Sequence, residues 1–290
     1  MNNPSPHILD RIMARKREEV SLARRQVPEA HLLQQAGELP PVRGFVAALT
    51  ETARRCRSEK GAAPAIIAEV KRGSPSKGVI HPAQDAPFQP ARIAQGYARH
   101  GATCISCLTD RDFFLGDDAF LMAIRQEVNL PLLRKDFVYD PYQVVQSRVL
   151  GADAILLILA VLQGDQPLEL ESAARELGLD VLVEIHDEAE LDRAHDLKTP
   201  LLGINNRNLN SFVTSLETSI RLAGRVESGR LVVSESGIHD AGDLLRLQQQ
   251  GICAFLIGEA FMRESDPGAA LGDMLAKYRD QQKDFSSPGH

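Results

Sequence analysis

The 290 residues include no tryptophan and only four cysteines, and aromatic residues make up 5% of the chain. Four cysteines in a chain this long exclude a disulfide framework and point to a reducing compartment, the cytoplasm. Long apolar runs are missing too. No stretch reaches the roughly 18 consecutive apolar residues that a membrane helix needs. The N-terminus has no secretory apolar core, and Asp10, Glu18 and Glu19 among its arginines argue against a transit peptide. Basic charge is in deficit, with 33 Lys+Arg against 39 Asp+Glu and a net charge of -6. Only short clusters such as Arg15–Arg17 and Arg54–Arg57 interrupt this, so neither nucleic acid nor a membrane is an expected partner. What remains, 43% hydrophobic and 25% charged residues, is an ordinary globular composition.

Within that composition the chain is strongly patterned. From His7 to Val27, apolar residues recur at helical spacing, and a weaker helical stretch follows from Pro28 to about Gly37. We read residues 1–50 as a helical extension, 51–64 as a polar surface loop, 65–280 as one domain and 281–290 as a disordered tail. After Pro64 come eight short apolar runs: 65–70, 103–108, 131–133, 154–159, 181–185, 201–204, 231–233 and 254–257. Each is short enough for a strand buried on both faces, and amphipathic stretches of helical length separate them. Repeated strand–helix units with no glycine-rich dinucleotide turn predict a closed (β/α)8 barrel, a TIM barrel, with the extension lying across its mouth.

Such barrels carry their chemistry at the C-terminal ends of the strands. The first run ends with Glu69 and Lys71, the third with Lys135, the fifth with Glu184 and the sixth with Asn205 and Arg207. The seventh ends with Glu235-Ser236-Gly237 and the eighth with Gly258-Glu259. With a period of two, Ile67, Glu69 and Lys71 share a face, as do Leu182 with Glu184 and Gly203 with Asn205 and Arg207. Two lysines, two glutamates and an asparagine can therefore converge on one mouth, a set suited to general acid–base work. Gly237 and Gly258, the latter opening a short helix, suit an anion held by main-chain N–H groups, and Ser74 can add a hydroxyl. Cys104 and Cys107 have half a zinc spacing, but three positions apart on a strand they face opposite sides, and no metal is expected. His186, just past a strand end, is read as a capping or orienting residue.

Five segments, in order, resemble the indole-3-glycerol-phosphate synthase family: 67–76 (IAEVKRGSPS), 133–137 (LRKDF), 183–186 (VEIH), 203–209 (GINNRNL) and 234–238 (SESGI). The N-terminal helical stretch is similar to that family's extra segment. The resemblance implies ring closure of 1-(2-carboxyphenylamino)-1-deoxyribulose 5-phosphate, with loss of carbon dioxide and water and with no cofactor. It implies Lys135 as general acid and Glu184 with Glu69 as acid–base groups. Lys71 would hold the substrate carboxylate, while Asn205 and Ser236 would bind hydroxyls or orient the glutamates. Arg207 would contact the carboxylate or a glutamate. Phe114, Leu156 and Leu209, with Leu133, Phe137 and Leu256 as further candidates, would line an aromatic slot. Ser74, Gly237, Gly258 and the N–H of Glu259 would cradle the phosphate, the Glu259 side chain turning away from it. A monomer is expected, with at most weak association with other enzymes of tryptophan biosynthesis. No fused isomerase domain is expected. A phosphoribosylanthranilate isomerase, which would call for a cysteine and an aspartate, and a non-catalytic phosphate-binding barrel are the rival readings.

Overall fold

The computed structural model describes residues 8–75, 77–80, 87–209 and 211–284. Three helices come first: α1 (Ile8–Gln26), α2 (Glu29–Glu38) and α3 (Phe45–Ser58). The strands are β1 (Ala65–Val70), β2 (Cys104–Leu108), β3 (Leu132–Lys135), β4 (Ala154–Ile158), β5 (Asp180–Ile185), β6 (Leu201–Asn205), β7 (Leu231–Glu235) and β8 (Ala254–Ile257). They alternate with α4 (Pro90–Arg99), α5 (Asp118–Glu127), α6 (Pro141–Val149), α7 (Gln166–Glu176), α8 (Glu188–Ala194), α9 (Glu217–Ala223) and α10 (Ala241–Gln248). The short α11 (Glu259–Met262) and the long α12 (Pro267–Asp284) follow β8. Each strand pairs in parallel with the next, and β8 closes on β1 with Ala65 opposite Ala254. The chain is thus a closed eight-stranded (β/α)8 barrel, with each predicted apolar run forming one strand.

Strand alternation divides the core in two. Ile67, Cys104, Leu133, Leu156, Leu182, Val233 and Leu256 fill the barrel interior. Ile66, Ala68, Cys107, Ile155, Val183, Ile204 and Phe255 pack outward beneath the helices. Cys104 and Cys107 fall in different layers, as a period of two requires. Aspartate side chains start several helices: Asp117, Asp140, Asp187 and Asp240 each accept a main-chain N–H from the first turn.

The extension departs from its sequence reading. Only α1 lies at the mouth, where Ile8, Leu9 and Ile12 face the cavity described below. Helix α2 packs on the flank against α6. Helix α3 closes the opposite end, with Phe45 and Leu49 fully buried among the first residues of the strands. The N–H of Val46 there donates to Asp180 at 2.8 Å, and that of Arg43 to Asp153 at 2.7 Å.

The predicted surface loop over 51–64 is also corrected, because α3 continues to Ser58. Phe45, Leu49, Ala53 and Cys56 make a buried helical stripe, and the charged residues between them pair along the helix, Arg54 with Glu51 at 2.8 Å and Arg55 with Glu59 at 3.2 Å. The density of charge there had outweighed a sparse apolar period. At the other end, residues 281–284 belong to α12 rather than to a tail. Gln282 accepts the Gly61 N–H at 3.0 Å. Residues 285–290 lie outside the described residues.

Candidate active site

The inward rows of the strands decide what reaches the mouth. Above Ile67 on β1 comes Glu69, above Leu133 on β3 comes Lys135, and above Leu182 on β5 comes Glu184. On β6, Asn205 follows Gly203, and on β7, Glu235 follows Val233. A cavity of about 480 Å³ opens over them. It brings together the expected polar and rim residues: Glu69, Lys71, Lys135, Glu184, Asn205 and Ser236 at its polar floor, with Ser74, Arg207, Gly237, Gly258 and Glu259 along one rim. Phe114, Leu156 and Leu209 line it too, as do Phe137 and Leu256. Leu133 does not line the cavity; it is fully buried in the barrel interior.

The polar floor is a buried charge cluster. Lys135 Nζ donates to Glu184 Oε2 at 3.0 Å and lies 3.6 Å from Glu235 Oε2. Asn205 Nδ2 donates to the other Glu184 oxygen at 3.1 Å. Lys71 Nζ pairs with Glu69 Oε1 at 2.5 Å. Burial works against the Lys135 ammonium, but the charges of Glu184, Glu235 and Glu69 prevail and hold its pKa above the ordinary lysine range. Burial likewise opposes ionisation of Glu184. Lys135, His186 and the Asn205 amide overcome it and hold that carboxyl below the usual carboxylate range. Glu235 goes the other way. Burial, together with the negative charges of Glu184 and Glu69, pushes it up to about 8 despite Lys135. Two glutamates at one mouth are thereby shifted in opposite directions, the pattern by which acid and base roles are separated.

The rim is made of strained and crowded backbone. After β7, Ser236 and Gly237 are both left-handed, with φ of 64° and 75°. The Asn206 amide holds this turn, donating to the Ser236 carbonyl at 3.0 Å and to Ser234 Oγ at 2.9 Å. Gly258 has an ordinary φ of -127°, and its missing side chain serves another end: a β-carbon there would overlap Glu69 Oε1. Gly203 stands in the same relation to Glu235 on the neighbouring strand. The Glu259 carboxylate meets Arg207 at 3.1 Å and Lys77 at 3.6 Å, so it is tied to the rim cations. Arg207 thus reaches a glutamate, one of its two expected partners. The rings of Phe114 and Phe137 stand 6.1 Å apart beside the slot.

Some residues escaped the sequence reading. Glu235 was seen as a strand end but not chosen as a site residue, although it shares the inward face of Val233. Lys77, also on the rim, is another. Lys16 of α1 is the least expected. Only 3% exposed, it pairs with Asp136 at 2.8 Å, Asp110 at 3.0 Å and Glu19 at 2.8 Å. Asp136 follows Lys135 directly, and Asp110 accepts the N–H groups of Phe113 and Phe114. One ammonium therefore ties the N-terminal helix to the strand end and to the loop that carry cavity residues.

A family model described as indole-3-glycerol phosphate synthase matches residues 9–274. A protein of that description in Magnetococcus marinus is 58% identical over 270 residues, covering 93% of this chain and 98% of the relative. One in Laribacter hongkongensis is 49% identical over 270 residues, covering 93% of this chain and 99% of the relative. Among solved structures, tryptophan synthase subunit alpha from Legionella pneumophila superposes with a TM-score of 0.56 at 12% identity. It spans 82% of this chain and 98% of its own, a likeness of fold alone.

Proposed function

This chain belongs to the indole-3-glycerol phosphate synthase family, and we propose that its barrel mouth closes the indole ring of 1-(2-carboxyphenylamino)-1-deoxyribulose 5-phosphate in tryptophan biosynthesis. The observation that carries this reading is the Lys135 ammonium held between Glu184 at 3.0 Å and Glu235 at 3.6 Å, with an apolar slot on one side and a main-chain rim on the other. The anthranilate ring takes the slot of Phe114, Leu156 and Leu209. The phosphate takes the rim of Gly237, Gly258 and the Glu259 N–H, with Ser74. Lys71 faces the substrate carboxylate.

In the first stage the ring carbon bearing the carboxylate attacks the ketone carbon. Lys135 gives its proton to the ketone oxygen, which becomes a hydroxyl, and the carboxylate leaves as carbon dioxide with its bonding pair returned to the ring. In the second stage that hydroxyl departs as water. Glu184, with Glu69, takes the ring-side proton, and Glu235 is placed to supply one to the leaving oxygen. Asn205 orients Glu184, and Ser236 meets a substrate hydroxyl. We place this reaction in the cytoplasm and assign it to a monomer. Weak association with other enzymes of the pathway is compatible with this assignment.

The test is a steady-state assay with the carboxyphenylamino-deoxyribulose phosphate, following indole-glycerol phosphate. Binding without turnover would favour a phosphate-binding barrel, and conversion of phosphoribosylanthranilate alone would favour the isomerase. A second prediction concerns Gly203. An alanine there would drive Glu235 aside, and a displacement on the order of 1 Å in a catalytic group costs about 10²-fold. Gly203→Ala should therefore lose kcat/KM on that order while keeping affinity for inorganic phosphate. Wild-type kinetics in this variant would remove Glu235 from the scheme.

A further inference from the structure

We infer that His186 is a positioning residue for Glu184: a half-buried imidazolium at the end of β5, anchored by Glu190, which keeps that carboxylate aimed and ionised after Lys135 has given up its proton. The inference deepens the ring-closure reading and rests on it for the role of Glu184.

His186 is the first residue beyond β5. Its Nε2 lies 3.2 Å from Glu184 Oε1, and its Nδ1 lies 3.1 Å from Glu190 Oε2. The same Glu190 oxygen accepts the His186 main-chain N–H at 2.8 Å. Glu190 is itself fixed, because it sits in the first turn of α8 and its own N–H donates to the capping Asp187 at 2.9 Å. A ring set between two carboxylates is favoured in its doubly protonated form, since a neutral tautomer would turn a lone pair toward one of them. Burial opposes the charge, yet Glu184 and Glu190 outweigh it and raise the ring to about 10. The Nε2 contact is an ion pair without the alignment of a hydrogen bond, so the ring acts on Glu184 chiefly through its charge.

The groups facing Glu184 show why this matters. Lys135 of β3 takes Oε2, while Asn205 of β6 and His186 share Oε1. Glu235 of β7 faces the same lysine from the other side, 3.6 Å from Lys135 Nζ, and burial itself favours the neutral form of Glu184. Once Lys135 has protonated the ketone oxygen, its cation is gone. The imidazolium is then the cation left in contact with Glu184 among the described residues, and it keeps the carboxylate able to accept a proton in the dehydration stage.

The test has two parts. In the intact protein labelled with 15N-histidine, both ring nitrogens of His186 should remain protonated through pH 8, and Glu190→Gln should lower that titration by about one unit. This part needs no substrate, so its outcome is separate from the identity of the reaction. In steady state, His186→Asn should lower kcat about tenfold, leave KM within about twofold, and move the acid limb of the kcat–pH profile upward by about half a unit or more. His186→Lys, which restores a cation, should bring the limb back, whereas His186→Gln should not. A ring that titrates near an ordinary histidine value overturns the inference, as does an acid limb unmoved in His186→Asn. Absence of turnover by the wild type sinks the ring-closure reading, while the ring titration still decides whether the imidazolium exists.

Discussion

Lys135→Ala is expected to lower kcat by about 10² to 10⁴-fold with a much smaller change in KM, because a positioned proton donor contributes on that scale in the transition state alone. The ammonium sits where three carboxylates raise its proton affinity, so it stays charged across the physiological range. It can still protonate the ketone oxygen, since the alkoxide forming there is a stronger base than an amine. Its removal leaves Glu184 and Glu235, buried and facing each other, without the charge between them. Glu184 then loses the cation that chiefly holds it ionised, which blurs the division of roles in the second stage as well. The rim proposed to hold the phosphate, at Gly237 and Gly258, includes neither Lys135 nor its partners Glu184 and Glu235, so binding there should persist. Lys135→Arg should not rescue, because a guanidinium holds its proton more firmly and its planar fork does not fit a site shaped for a point charge. Steady-state kinetics on the folded variants checks this, and a kcat within about threefold of wild type would remove Lys135 from the role.

The barrel was legible because its strands are buried on both faces and therefore read as short continuous apolar runs at regular spacing. Much of the mouth was legible for a related reason: Glu69, Lys135, Glu184 and Asn205 interrupt those runs at the end where a barrel keeps its chemistry. Glu235 carried the same signal and was passed over in favour of its neighbour Ser236. The structure shows that the chain leaves β7 in a left-handed turn at Ser236, so the inward row ends at Glu235. Gly203 and Gly258 could not be understood from one strand at a time, since each makes room for a carboxylate on the adjacent strand. Helix α3 was hidden by its arginines, of which Arg54 and Arg55 pair with Glu51 and Glu59 only three or four residues away. Lys16 was hidden more completely. Between Arg15 and Arg17 it reads as one more solvated charge, and Asp110 and Asp136, the carboxylates that bury it, come from strand ends far along the chain.

Lys16→Met should therefore have a large effect for an extension residue. Breaking a buried ion pair by removing one partner typically costs about 3–5 kcal/mol, because a charge is left buried without compensation. Here Asp110 loses its cation, while Asp136 keeps Arg134 at 3.4 Å and the Thr109 hydroxyl at 2.6 Å. The barrel need not absorb the whole cost. Helix α1 can lift from the mouth and expose the two carboxylates to water, so the loss should appear as faster amide exchange in α1 and a raised KM. The raised KM follows because Ile8, Leu9 and Ile12 line the cavity. The pH dependence fixes the sign. Burial opposes the charge on Asp136, but Lys16 and Arg134 hold it down to about 2, below its ordinary carboxyl value. A group depressed in this way stabilises the fold above its unfolded pKa and loses that contribution as pH falls through the folded one. The difference between wild type and Lys16→Met should thus be full at neutral pH and shrink as the pH falls toward 2. Adding Asp110→Asn to Lys16→Met should recover part of the loss, since it removes the stranded charge and keeps an acceptor for the Phe113 and Phe114 N–H groups. Equal α1 exchange in wild type and Lys16→Met at pH 7 would show that the ammonium does not hold the helix to the barrel.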